Sequence, residues 1–150
     1  MEAYVMDAFS TRVFGGNQAG VALPERELPD ALMQQVAAEF KHSETAFVRV
    51  EEDDSVTLRY FTPAGEVELC GHATVASFAL LRQLGRIGDG DVTAHTKAGE
   101  LSVTVRGTET ETLALVQRLH PLFCETLPIT LEELFISEME VAGYDINKVI

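Results

Sequence analysis

The sequence predicts an α+β fold in which mostly antiparallel strands wrap one central apolar helix, and three observations lead there. The elements run strands, helix, strands, helix, strands, helix, without the regular strand-helix alternation of a doubly wound parallel sheet. The helix expected at about 71–85 (GHATVASFALLRQLG) carries no polar stripe before Arg82 and Gln83. A helix apolar on every side has to be covered on every side. The strands on either side of it alternate, and polar or glycine-bearing turns join them as hairpins.

Taken in order, residues 3–9 (AYVMDAF) alternate loosely and open the fold as a strand. The stretch 12–20 (RVFGGNQAG) reads as a glycine-rich turn or loop, and 20–23 (GVAL) as a short second strand. LPDALMQQVAAEFKHSE begins with Pro29 and Asp30, residues that start helices well. It sets Leu32, Val36 and Phe40 with Met33 and Ala37 on one face, an amphipathic helix of about three turns. TAFVRV and VTLRYFT are strands, and the EEDDS between them is a solvated hairpin tip. Thr62-Pro63-Ala64-Gly65 turns the chain into a short strand, EVEL, which runs into the apolar helix; Gly85 is a suitable stop for that helix. VTAHTKAG and ELSVTVR alternate about a turn at Gly99, and TLALVQRL follows as a third strand. Thr130 and Glu133 fit a capping box, with Leu131, Leu134 and Phe135 starting an apolar face.

A chain of 150 residues fits one ordinary domain and is long enough to bury a core. Its formal charge of −13, with the basic residues scattered, argues against nucleic acid or an anionic membrane surface as a partner. No apolar run reaches the length of a membrane span, and the first residues lack the pattern of a signal peptide. Two cysteines, Cys70 and Cys124, suit free thiols in a reduced, cytoplasmic protein better than one disulfide.

The residues able to do chemistry gather at two places. At the start of the apolar helix, Cys70, Gly71, His72, Ala73 and Thr74 sit where unpaired N–H groups and the positive end of the helix dipole point outward. Such an end receives a carboxylate or phosphate, and Gly71 lets a ligand approach the backbone. His72 can donate to an anion or move protons near neutral pH; it can equally be a partly buried ring bonded to a carbonyl. Cys70 reads as a thiolate base or nucleophile whose pKa the helix end lowers, or as a small buried hydrophobe that ends a strand. The second place is KHSETAFV, where Glu44 lies at a helix-strand boundary and would serve as a general base if burial raised its pKa. Gly15-Gly16-Asn17 lacks the dinucleotide fingerprint, and His42, Cys70, His72 and His95 lack a zinc spacing.

Together, the ordered segments DAFSTRVFGGNQAGV, SETAFV, RYFTPAGEVELCGHATVASFALL and AGELSVTV resemble the PhzF-like family of phenazine-biosynthesis proteins over approximately residues 3–105. The resemblance implies the diaminopimelate-epimerase-like architecture. Each of its two halves is a curved sheet about a central helix, and the active site lies between the halves. It implies isomerase or epimerase chemistry on a small carboxylic acid, with no metal and no organic cofactor. Glu44 matches the family's proton-shuttling acid/base and His72 a substrate-contacting histidine; Gly71, Ala73 and Thr74 match the helix-end backbone that receives the substrate. Asn17 matches a Gly-Asn-Pro-Ala loop in which Gln18 replaces the usual proline. Cys70 falls where related epimerases carry a catalytic thiol, an alternative base ranked behind Glu44. On this reading residues 1–107 form the N-terminal domain. Residues 108–150 form a final strand and helix leading toward a second domain that the 150 residues do not contain. Catalysis then requires a homodimer or the missing half, and the alternative is a non-catalytic module that binds small carboxylates or self-associates.

Overall fold

The computed structural model describes residues 1–10 and 14–106. The expected strand TLALVQRL, the helix from Thr130, Cys124 and the segment 108–150 lie outside those residues. Along the chain run β1 (Glu2–Ala8), β2 (Asn17–Leu23), α1 (Asp30–Phe40), β3 (Thr45–Val50), β4 (Val56–Phe61), β5 (Glu66–Val67), α2 (Gly71–Gln83), β6 (Gly90–Thr96) and β7 (Gly99–Val105). The strands form one seven-stranded sheet in the order β1-β2-β3-β4-β6-β7, with β5 paired onto β4.

Two strands differ most in length from expectation, and pairing explains both. β2 starts at Asn17 because β1 offers a partner for every residue from Ala8↔Asn17 to Glu2↔Leu23. That ladder holds Gln18 and Ala19 extended, although they read locally as loop. EVEL shrinks to Glu66 and Val67 because only Tyr60 and Phe61 of β4 are available to it; β6 takes the same edge at Val56 and Thr57.

The sheet is mixed. β1/β2, β3/β4, β4/β5 and β6/β7 are antiparallel, while β2/β3 and β4/β6 are parallel. A parallel neighbour requires a crossover, and the two crossovers contain α1 and α2. β2 and β4 run in opposite directions, yet both connections step the same way along the sheet. Right-handed crossovers must therefore place the two helices on opposite faces.

The side chains sort accordingly. On one face Val21, Ala46, Val48, Val56, Leu58 and Tyr60 pack with Ala73, Ala76, Leu80 and Leu81 of α2. On the other, Ala22, Phe47 and Phe61 pack with Met33 and Ala37 of α1. The period-2 alternation of the strands supplies both cores, and each fully buried Leu or Val contributes about 1.5–3 kcal/mol before entropy is counted. α1 is rotated from the expected face: Met33 and Ala37 are buried, but Leu32 is 42% exposed.

α2 follows expectation closely. Ala73, Thr74, Ala76, Ser77, Phe78, Ala79, Leu80 and Leu81 are buried, no residue of the helix is fully exposed, and it lies against β1, β2, β3 and β7. It ends as a Schellman motif. Gly85 at φ 68° donates its N–H to the Arg82 carbonyl, and Arg86 donates to Leu81, which satisfies carbonyls that the last turn leaves open. The junction before α2 is pinned by Arg59, whose guanidinium meets Asp30 and Glu66 at 2.7 Å each. Lys97, from the β6–β7 turn, meets Glu66 at 3.1 Å.

Candidate active site

Glu44 is delivered by the tight return from α1 into β3. Its backbone carbonyl accepts the Gly20 N–H at 3.0 Å, and Thr45 stands in register opposite Gly20. The approach is close enough to require glycine: a Cβ at position 20 would meet Thr45 Oγ1 at 2.8 Å and Phe40 Cδ2 at 2.9 Å. The Thr45 side chain is wholly buried, and its Oγ1 has no hydrogen-bond partner among the described residues. Glu44 is thus set by β2 and β3, far in sequence from the segment that carries Cys70 and His72.

Cys70 and His72 come from the junction into α2, which a buried polar chain locks in place. Tyr60, 0% exposed, places its hydroxyl 2.6 Å from Thr74 Oγ1, and Thr74 Oγ1 donates to the Cys70 carbonyl at 2.7 Å. Because the Thr74 proton is already given to Cys70, Tyr60 is the donor in the first bond. Burial pushes the Tyr60 phenol above its ordinary value of 10.0, with the Thr74 bond opposing weakly. Tyr60 therefore remains a donor at every physiological pH.

At the helix start the three chemical groups meet. Cys70 Sγ lies 3.3 Å from His72 Nδ1, and His72 Nε2 lies 3.3 Å from Glu44 Oε2. The His72 and Glu44 side chains are 12% and 23% exposed. Nε2 is nevertheless a buried atom without a hydrogen bond among the described residues. The pair is close enough for electrostatic attraction, but the N–H is not aligned on the oxygen.

Of the two readings of Cys70, a helix-end thiolate or a small buried hydrophobe, burial favours the second: the thiol is pushed up to about 11 from 9.0. Burial is the largest cause, and the Glu44 charge acts the same way. The helix-end N–H groups of Ala73 and His72 pull downward, and burial outweighs them. Among the described residues Cys70 is a buried free cysteine.

The other expected site residues are placed less uniformly. Gly71 and Ala73 stand at the first turn of α2, with Ala73 fully buried. Thr74 has both donors committed inside the protein, its N–H and its hydroxyl each going to the Cys70 carbonyl. That leaves the N–H of Gly71 as the helix-end donor without a partner among the described residues, since those of His72 and Ala73 act on the Cys70 thiol. Asn17 is exposed at the first residue of β2, and no hydrogen bond or ion pair joins it to Glu44 or His72 among the described residues. Tyr60, Gly20 and Thr45, which support the site, were not singled out from sequence. The alternation of VTLRYF, which puts Tyr60 on the face of Val56 and Leu58, is the signal that could have found the first.

Glu44, Cys70 and His72 offer potential ligand atoms within 4.8 Å of one another. The imidazole, however, turns Nδ1 to the thiol and Nε2 to the carboxylate. One ion can take only one ring nitrogen, so the three groups do not all face a single metal position.

Comparison with known proteins adds the family context. A family model described as "Phenazine biosynthesis-like protein" matches residues 6–140. The chain is 43% identical over 104 residues to "Uncharacterized isomerase YddE" of Escherichia coli O157:H7, covering 69% of this chain and 35% of that protein. It is 35% identical over 145 residues to the Salmonella typhimurium protein of the same name, covering 97% and 49%. A crystal structure of a phenazine biosynthesis protein of the PhzF family from Enterococcus faecalis superposes with a TM-score of 0.65 at 41% identity, covering 69% of this chain and 40% of that one. The chain thus spans between about a third and a half of the length of these relatives. With the family match reaching across most of its length, and the strands, apolar helix and motif residues arranged as described, the chain belongs to the phenazine biosynthesis-like (PhzC-PhzF) protein family.

Proposed function

We propose that this chain is one half of a cofactor-independent isomerase or epimerase that moves a proton on a small carboxylic acid, with Glu44 as the general acid/base. The observation that carries the reading is the convergence of Glu44, His72 and Cys70 at the start of α2, from two segments distant in sequence. Names of relatives support the reaction class: the Escherichia coli relative is called an isomerase. A Pseudomonas aeruginosa structure at TM-score 0.60 and 29% identity is described as a "Predicted Epimerase".

In this mechanism the positive end of α2, with the N–H of Gly71, holds the substrate carboxylate. Glu44 removes a proton from carbon and returns it to the opposite face or to another carbon. His72 polarises the substrate through Nε2, and Asn17 borders the site on the β2 side. General acid/base transfer from a positioned group supplies about 10²–10⁴-fold in rate. We read α2 as the central helix of a curved half: it touches both β1 and β7, the two ends of the strand order, and a flat sheet would keep those ends apart. The second wall of the cleft comes from a second domain or from another copy of the chain. The protein is read as cytoplasmic; among the described residues no helix is long and apolar enough to cross a membrane.

The test follows deuterium exchange at the acidic carbon of a panel of small amino and hydroxy acids, for the native chain and Glu44→Gln. The expected result is exchange that Glu44→Gln reduces at least about a hundredfold. Undiminished exchange in the variant removes Glu44 from the mechanism. The second reading is a carboxylate-binding or self-associating module that uses the positive end of α2 without proton transfer. It predicts carboxylate binding by calorimetry with no exchange on any acid.

A further inference from the structure

We propose that Cys70 is a positioning residue: its thiol donates a hydrogen bond to His72 Nδ1 and so holds the ring proton on Nε2, facing Glu44. A neutral imidazole has one donor nitrogen and one acceptor nitrogen, and a carboxylate only accepts. Nε2 stands 3.3 Å from Glu44 Oε2, so a proton there faces an acceptor, whereas a lone pair there would face another lone pair. Nδ1 must then accept, and the group 3.3 Å from it is Cys70 Sγ.

A thiol can fill that place only while it keeps its proton. Burial and the one charged group acting on it, Glu44, both favour the protonated form. Burial and the Glu44 charge push it up to about 11, and the neighbouring buried Tyr60 carries no charge to offset them. The amides of His72 and Ala73 pull the other way without prevailing. An imidazolium-thiolate pair, the other arrangement these two groups could adopt, is therefore disfavoured.

The consequence deepens the functional reading and rests on it. Cys70 is not a base, and His72 is a donor rather than a base. Glu44 alone keeps a basic lone pair toward the substrate. The Nε2 proton makes no hydrogen bond among the described residues, so a substrate oxygen that accepts it displaces none.

The test begins without substrate, so its failure is separable from failure of the acid/base reading. The chain is labelled with ¹⁵N-histidine and its ring nitrogens are observed by long-range proton correlation near neutral pH, with His72 assigned by loss in His72→Gln. The expected spectrum shows a protonated Nε2 and an unprotonated Nδ1. The Nδ1 signal moves downfield in Cys70→Ala, and in Cys70→Val where no water can take the thiol's place; in Cys70→Ser it returns toward the native position. A native ring protonated on Nδ1 or on both nitrogens overturns the proposal, as does an Nδ1 signal indifferent to Cys70→Ala and Cys70→Val. Native-like far-ultraviolet dichroism shows that each variant is folded. In the exchange assay Cys70→Ser retains Glu44-dependent exchange and Cys70→Ala loses about five- to tenfold; abolition by Cys70→Ser would make the thiol itself the base.

Discussion

Deleting either end of the Tyr60–Thr74 bond perturbs the site's support unequally, and the structure says by how much. Tyr60 is 0% exposed and donates to Thr74 Oγ1 at 2.6 Å, while Thr74 passes its own proton to the Cys70 carbonyl. In Tyr60→Phe the missing group is the donor. Thr74 still has its acceptor bonded, and the loss is one net hydrogen bond, about 1 kcal/mol. In Thr74→Val the shape and the β-branch are kept, but the Tyr60 hydroxyl is stranded in a fully buried site, at about 2 kcal/mol. The double variant removes the stranded group as well and should cost about 1.5 kcal/mol, giving a coupling of about 1.5 kcal/mol. Urea unfolding of the four chains, with slopes checked for constancy, measures the cycle. Costs that add within about 0.3 kcal/mol, or a Tyr60→Phe cost as large as that of Thr74→Val, would show that the bond is not made as described.

Two further outcomes follow from the same geometry. Gly20→Ala drives a Cβ against Thr45 Oγ1 and Phe40 Cδ2; it should cost about 1–3 kcal/mol in chemical unfolding, whereas Gly65→Ala, with nothing within 4 Å of its new Cβ, should be neutral. Alkaline stability should fall from about pH 9 upward, because the folded Cys70 holds its proton toward about 11 while the unfolded thiol releases it at 9.0. A group whose pKa is raised by folding contributes fully below its unfolded value and loses that contribution as pH rises toward the folded one. The loss amounts to about 2–3 kcal/mol, and urea midpoints across that range should flatten in Cys70→Ala, apart from the similar but later contribution of Tyr60.

Much of this protein is local and could be read from the chain. The hairpin VEEDDSV, the apolar helix with its Gly85 stop and the β-turn at Gly99 are set by alternation, loop residues and capping over a few positions. Glu44, Cys70 and His72 also stood out, because each lies at an element boundary beside a glycine-rich or apolar segment. The length of β2 did not, since Asn17 and Gln18 become strand only when β1 supplies partners. The outward turn of Leu32 escaped for a similar reason: the helical period allows several faces, and the packing of Met33 and Ala37 onto Phe47 and Phe61 chooses one.

The sequence by itself determined which residues could do chemistry, through their types and their places at the ends of elements. Only the tertiary structure decided what those residues are to each other. Two parallel crossovers on opposite faces bring Glu44 to His72, and burial raises the Cys70 thiol where the helix end alone would lower it. Distance and desolvation are properties of the assembled site, and a local window of sequence contains neither.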